Sequence, residues 1–221
     1  MNLKQIIKSA EEKYLQILEE FFIEKWGKTL LYSHDIDHHR RVWQYAKELL
    51  EEISSEIIDT TPEFPRKLLI ACYLHDLGMT VDSEVRHGIH SRELCRSFLL
   101  KNNLSESNYN DVLDAIEHHD DKEYKKNWFN NNEVLKFLTV ADDLDAFGYI
   151  GIYRYLEIYI ARGIQPAIIG HEIRKNALKR FHNFELNFGT YPELIERHRK
   201  RFLILDEFFA GYVKETGFRK E

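Results

Sequence analysis

Apolar residues recur at three- and four-residue spacing along most of the chain. Leu3, Ile6, Ile7, Ala10, Tyr14, Ile17, Leu18 and Phe21 make one stripe, which predicts an amphipathic helix with Gly27 as its stop. Val42, Tyr45, Ala46, Leu49, Leu50 and Ile53 make a second, with Asp35 or Asp37 as its cap. Thr60 to Pro65 is a breaker cluster and predicts a loop. Leu68 to Leu74 is then apolar without a break, so this helix has no polar face and is expected to be buried on all sides; Pro65 suits its first turn and Gly78 a position past its end. His87 to Ser91 opens a helix that turns Leu94, Cys95, Phe98 and Leu99 inward, and Ser107 is the expected cap of the next, which carries Val112, Leu113 and Ile116. Val134, Leu135, Leu138 and Ala141 define another, and Gly148 and Gly151 interrupt the path into an aromatic helix over Tyr153 to Ile160. Two more are predicted over 172–184 and 192–213, with loops at 101–110, 120–132 and 163–170. No run alternates with the period of a strand, no segment repeats, and no linker separates two domains. The pattern predicts an all-α, single-domain bundle of about eight or nine helices over 1–221.

Several polar residues fall on these apolar faces. His75 and Asp76 come at the end of the all-apolar helix, and a carboxylate there must leave water at the helix end whose dipole favours cations. A positive partner is therefore expected, either an Arg or Lys or a metal ion. His38 lines up with Tyr45 and Leu49; His39 lies near the same stripe, and periodicity does not choose between them. His119 follows Ile116 by three residues, whereas His118 is rotated to the flank. Asp142 and Asp145 fall within the stripe of Leu138, and Asp143 is expected to point away. Imidazole and carboxylate from separate helices, converging on one point, suit Zn, Fe, Mn, Ni or Co.

Composition narrows the classes. The chain has 221 residues and a formal net charge of -6, and no basic run tracks a phosphate backbone, so nucleic acid is not expected as the main partner. No stretch reaches the roughly 18 apolar residues of a membrane span, and no signal peptide is read at the N-terminus. Cys72 and Cys95 do not form a zinc-type pair and are expected to be buried free thiols in a reducing, cytoplasmic compartment.

His38-x-x-Arg41-Val42, then His75-Asp76 after a buried apolar helix, then Ala141-Asp142 ahead of Leu144-Asp145-Ala146, resembles the HD-domain superfamily of metal-dependent phosphohydrolases. The likeness runs from about Ser33 to Arg154, and the stretches around Tyr32 to Trp43 and Ala141 to Ile152 resemble a subgroup of stand-alone bacterial members. On this likeness the HD core is about 30–154, with helices over 155–221 packed on it. The resemblance implies that His38, His75, Asp76 and Asp142 bind a divalent metal ion (Mn, Fe, Co, Ni, Zn or Mg). It implies that a metal-held water attacks phosphorus. Members with two ions use further histidines between the HD pair and the last Asp, and His87 and His119 occupy that interval.

The roles expected are therefore Asp76 and His119 in catalysis, and Arg41, His87 and Lys122 in substrate binding. Asp145 stands behind the ligands, orienting one of them or pairing with Arg41 or Arg154. His34 and Asp35 are read as turn and cap, and Lys125 and Lys126 as solvated loop. The expected activity is hydrolysis of a small phosphate ester, a nucleotide foremost. The alternatives are a di-iron HD oxygenase and a metal- or nucleotide-binding regulatory module. The last is suggested by Met79, which stands where several nucleotidases carry an acid; Asp82 and Glu84 are the nearest substitutes. The aromatic run from Tyr149 to Tyr159 is read as core or as the interface of a homodimer.

Overall fold

The structure is a computed structural model that describes residues 2–53, 62–82, 86–124 and 132–217. Nine α-helices and no strand occur among the described residues, so the fold is all-α as expected. Contacts group the chain into two compact units, Met1–Leu30 with His34–Ala141, and Leu31–Ser33 with Asp142–Glu221. A single domain with a core over about 30–154 is expected from the sequence; the contacts divide the chain inside a helix, between 141 and 142.

The first unit holds α1 (Leu3–Trp26), α2 (Ile36–Ile53), α3 (Glu63–Leu74), α4 (His87–Lys101), α5 (Asn110–His118) and the larger part of α6 (Glu133–Asp145). Helix α3 is its centre. No side chain from Leu68 to Leu74 is more than 2% exposed, and α1, α2, α4 and α5 all pack on it. A capping box between Asn2 and Gln5 starts α1, and Gly27 ends it. The Asp35 carboxylate accepts from the backbone N–H of Asp37 (3.0 Å) and His38 (3.4 Å), so Asp35 rather than Asp37 caps α2. Arg40 clamps Glu19 with two 2.8 Å bonds, tying α2 to α1, and Tyr73 of α3 donates to the same carboxylate at 3.3 Å.

After α3 the chain turns tightly. His75 caps the helix and Asp76 leads into a 3-10 turn over Leu77–Thr80, so both lie just beyond the last turn rather than in it. Backbone elements press together here. A Cβ on Gly78 would lie 2.1 Å from the His87 carbonyl oxygen and 2.5 Å from the Ser91 nitrogen, and one on Gly88 would lie 2.5 Å from the Glu117 carbonyl oxygen. The Gly78 N–H donates to Ser91 Oγ at 2.8 Å. These close approaches set the Asp76 turn, the start of α4 and the end of α5 against one another. Cys72 and Cys95 are both buried and free.

The second unit holds the end of α6, then α7 (Gly148–Ala161), α8 (Pro166–Phe188) and α9 (Pro192–Gly217), the last two packed as a long antiparallel pair. Phe181 and Phe202 stack at 4.7 Å between them. Arg201 of α9 donates to the carbonyls of Leu144 (2.8 Å) and Phe147 (3.0 Å), a cation placed on the C-terminal end of α6.

Three expectations are corrected. Ser107 does not cap α5, because a 3-10 turn over Glu106–Asn108 intervenes and Ser107 pairs with Ser105 instead. The loop predicted over 163–170 is mostly helix, because Pro166 occupies the first turn of α8, where no backbone donor is needed. Helix α8 therefore starts at Pro166 rather than near residue 172, and α8 and α9 also run on past the predicted ends, to Phe188 and Gly217. No described helix is long and apolar enough to cross a membrane. The predicted loop residues Thr60 and Thr61, and Glu84, Lys125 and Lys126, lie outside the described residues.

Candidate metal centre

Two helix ends build the first unit's polar cluster. The last carbonyls of a helix have no partner within it. At the end of α3, His75 turns back so that its Nδ1 donates to the Cys72 carbonyl at 3.0 Å; at the end of α5, His119 Nδ1 donates to the Ile116 carbonyl at 2.7 Å. Each bond satisfies an orphan carbonyl and fixes the orientation of its ring, so that Nε2 faces inward. Both Nε2 atoms meet Asp76. His119 Nε2 lies 2.9 Å from Oδ1 and His75 Nε2 lies 3.3 Å from Oδ2.

Two further histidines complete the ring around this carboxylate. His38 of α2 brings Nε2 to 3.4 Å from Oδ2 and 3.3 Å from His75 Nε2, and His87, the first residue of α4, brings Nε2 to 3.5 Å from Oδ1. All five residues are buried, none more than 4% exposed. The ligand atoms of His38, His75 and Asp76 lie within 4.8 Å of one another, and so do those of Asp76, His87 and His119. Asp76 thus faces a nitrogen pair with each of its oxygens.

Charge follows from this geometry. Burial works against an ionised Asp76, but the charge of His75 and the bonds from His119, His38 and His75 outweigh it, and the carboxyl is held well below its usual range. Burial lowers the pKa of His75, opposed by Asp76. Burial also pulls on His119, yet the hydrogen bond and charge of Asp76 prevail and raise it. An ionised carboxylate whose neighbours are inward-facing imidazole nitrogens fits a divalent cation. The nitrogen-rich set suits Mn, Fe, Co, Ni or Zn; Mg, which prefers an all-oxygen shell, fits it least.

Both histidines at the start of α2 are buried, with different partners. His38 faces Asp76, whereas His39 Nδ1 donates to the Cys72 carbonyl at 2.9 Å, the acceptor it shares with His75. Burial, with His75 and His38 nearby, pushes its pKa well down. His34, expected as a turn residue, lies in a 3-10 turn over Tyr32–His34 and also reaches toward the cluster. It is 7% exposed, with Nε2 3.9 Å from Asp76 Oδ2, and its spacing of four from His38 is the signal that could have found it. His90 and His118 are half-buried at the flanks. Lys122 donates to the His119 carbonyl at 3.3 Å, and Arg41 is half-buried on α2. Met79 is buried in the 3-10 turn.

The acids at the end of α6 belong to the second unit, each buried with basic company. Asp142 accepts from Arg180 at 3.1 Å through Oδ2 and faces Arg154 at 3.4 Å through Oδ1. Asp145 is paired with Arg154 at 3.1 Å. Asp143, expected to point outward, is fully buried, because Arg180 (2.9 Å) and Asn183 (3.0 Å) of α8 reach it. Arg180 and Asn183 lie nearly forty residues away in a segment without motif, so nothing near Asp143 in sequence announced them.

A family model described as HD domain matches residues 35–147, half of the chain, including His38, His75, Asp76, His87, His119 and Asp142. No curated protein matches the chain. Among solved structures, the crystal structure of a structural genomics target from Lactobacillus plantarum is similar with a TM-score of 0.59 over 97% of this chain and 98% of that one. At 19% identity that likeness is one of fold.

Proposed function

The chain belongs to the HD-domain family, and from that premise we propose that it is a metal-dependent phosphohydrolase acting on a small phosphate ester, a nucleotide foremost. The observation that carries this reading is Asp76, a buried carboxyl with a histidine nitrogen pair at each oxygen. In this reading His38, His75 and Asp76 hold a divalent ion, and Asp142 is the fourth ligand that the family motif supplies. When bound, such an ion supplies Lewis acidity toward a phosphoryl oxygen and acidifies water.

The chain's own residues contribute the rest. The Cys72 and Ile116 carbonyls hold the His75 and His119 rings in one orientation, so no reorientation is needed when substrate arrives. His119 keeps a proton on Nε2 against Asp76 in the metal-free protein and is the residue placed to pass one to a leaving oxygen. His87, Lys122 and Arg41 are assigned to the substrate's phosphate. The second triad, Asp76 with His87 and His119, favours a two-ion reading, of which a di-iron oxygenase is the alternative outcome.

Protein stripped of metal and reloaded with Mn, Co or Ni is expected to release phosphate from nucleotides or from p-nitrophenyl phosphate. His75→Ala and Asp76→Ala are expected to abolish this; either variant at full activity would sink the reading. Two irons per chain with oxygen consumption, and no phosphate release, would favour the oxygenase instead. Ligand-induced thermal stabilisation without any product would favour the regulatory module.

A further inference from the structure

Arg154 of α7 makes three contacts at once. Its Nη1 donates to Asp145 Oδ2 at 3.1 Å, its Nη2 faces Asp142 Oδ1 at 3.4 Å, and its Nε donates to the Ser33 carbonyl at 3.1 Å. The three side chains are 7%, 0% and 6% exposed, for Arg154, Asp145 and Asp142. We infer that Arg154 is a positioning residue of the proposed metal centre, setting the plane of the Asp142 carboxylate while the same fork holds the Ser33 carbonyl. This rests on the metal-centre reading given above.

The geometry requires a guanidinium. Its donors diverge in a fixed plane, so one group can serve two carboxylates and a carbonyl in three directions. Asp145 holds one corner of that plane, which fixes what the other corners offer Asp142 and Ser33. With Arg154 at Oδ1 and Arg180 at Oδ2, the Asp142 carboxylate is held from both sides and cannot rotate freely.

Glu157 reinforces the grip on the chain. It lies three residues along α7 on the same face, and its carboxylate accepts from the N–H of Tyr32 (3.3 Å) and Ser33 (2.5 Å). One helical face therefore takes both the N–H and the C=O of Ser33. Residue 154 lies beyond the residues 35–147 that the family model matches, and the wider sequence likeness gives it only as a pairing partner of Asp145.

The test is Mn²⁺ titration of the EDTA-stripped full-length protein, with the visible spectrum of the Co²⁺ form as a second readout. Arg154→Lys, which keeps a charge but not the fork, and Asp145→Asn, which frees one corner, are each expected to weaken Mn²⁺ binding about 10- to 100-fold. Each should also shift the Co²⁺ bands, and the double variant should be no weaker than Arg154→Lys alone, because both act along one path. Mn²⁺ affinity within twofold of wild type, with an unchanged Co²⁺ spectrum, would overturn the assignment whatever either variant does to stability. If Arg154→Lys does not fold, near-isosteric Asp145→Asn decides by the same criterion. Wild-type protein that takes up neither ion overturns the metal reading itself, which is a separate result.

Discussion

Asp76 stands where a helix runs out of internal partners, and the groups around it follow from that position. The carbonyls left over at the ends of α3 and α5 recruit the Nδ1 atoms of His75 and His119, and the opposite ring nitrogens then converge on the carboxylate. Such convergence depends on how closely the backbones approach. Gly78→Ala and Gly88→Ala would place a methyl group within 2.1 Å and 2.5 Å of backbone oxygen atoms, which cannot move as a side-chain tip can. Each is expected to cost about 3 kcal/mol or more in urea unfolding and to weaken metal uptake in whatever protein still folds, since both substitutions press on the segments that carry Asp76, His87 and His119. A loss of under about 1 kcal/mol would mean that the turn has slack. At this scale the candidate ligands were legible because His38, His75, Asp76 and His119 sit on or beside apolar stripes. The proximity of His34 to Asp76 was not, because a histidine in a turn ahead of a helix has no stripe to place it, and its burial comes from tertiary packing. Asp143 misled for the same reason: its stripe is covered by α8, whose side chains no local pattern points to.

Helices follow the same division between local and tertiary causes. Helix α3 was legible because a run apolar on every side has only one stable placement, the centre of a bundle. The limits of α8 were not, because Pro166 and Gly170 read as loop residues. Proline is accommodated in a first helical turn, and Gly170 packs where a Cβ would lie 2.7 Å from Val213 of α9. The tie between α1, α2 and α3 through Glu19 gives a prediction at this scale. Hydrogen bonds from Arg40 oppose the cost of burial and lower the Glu19 pKa below its ordinary value of 4.5. A lowered carboxylate pKa contributes stability that is present above 4.5 and is lost as pH falls through the folded-state value. Glu19→Gln is therefore expected to cost about 0.5–1 kcal/mol at neutral pH, the partial exposure of Arg40 limiting the effect. The gap from wild type should close as the pH of the urea titration is lowered below 4.5. A gap that stays constant with pH would show that the carboxylate charge contributes nothing.

In the whole chain, helix α6 runs unbroken from one compact unit into the other, and the acid that completes the sequence motif is the first residue past the division. The family match ends at residue 147, so most of the second unit is set by residues without a motif, and Arg154 and Arg180 are among them. The first unit also carries two thiols in its core, Cys72 three residues before His75, and Cys95 in α4. Burial raises the Cys95 pKa, and only a thiolate reacts with an alkylating reagent. Neither thiol can be modified until its helix opens. The protein therefore carries an internal clock: the rate at which iodoacetamide consumes each cysteine measures how often that helix comes apart. Mn²⁺ should slow the clock at Cys72, whose carbonyl anchors His75, more than at Cys95, and mass spectrometry of the alkylated peptides would read both from one sample.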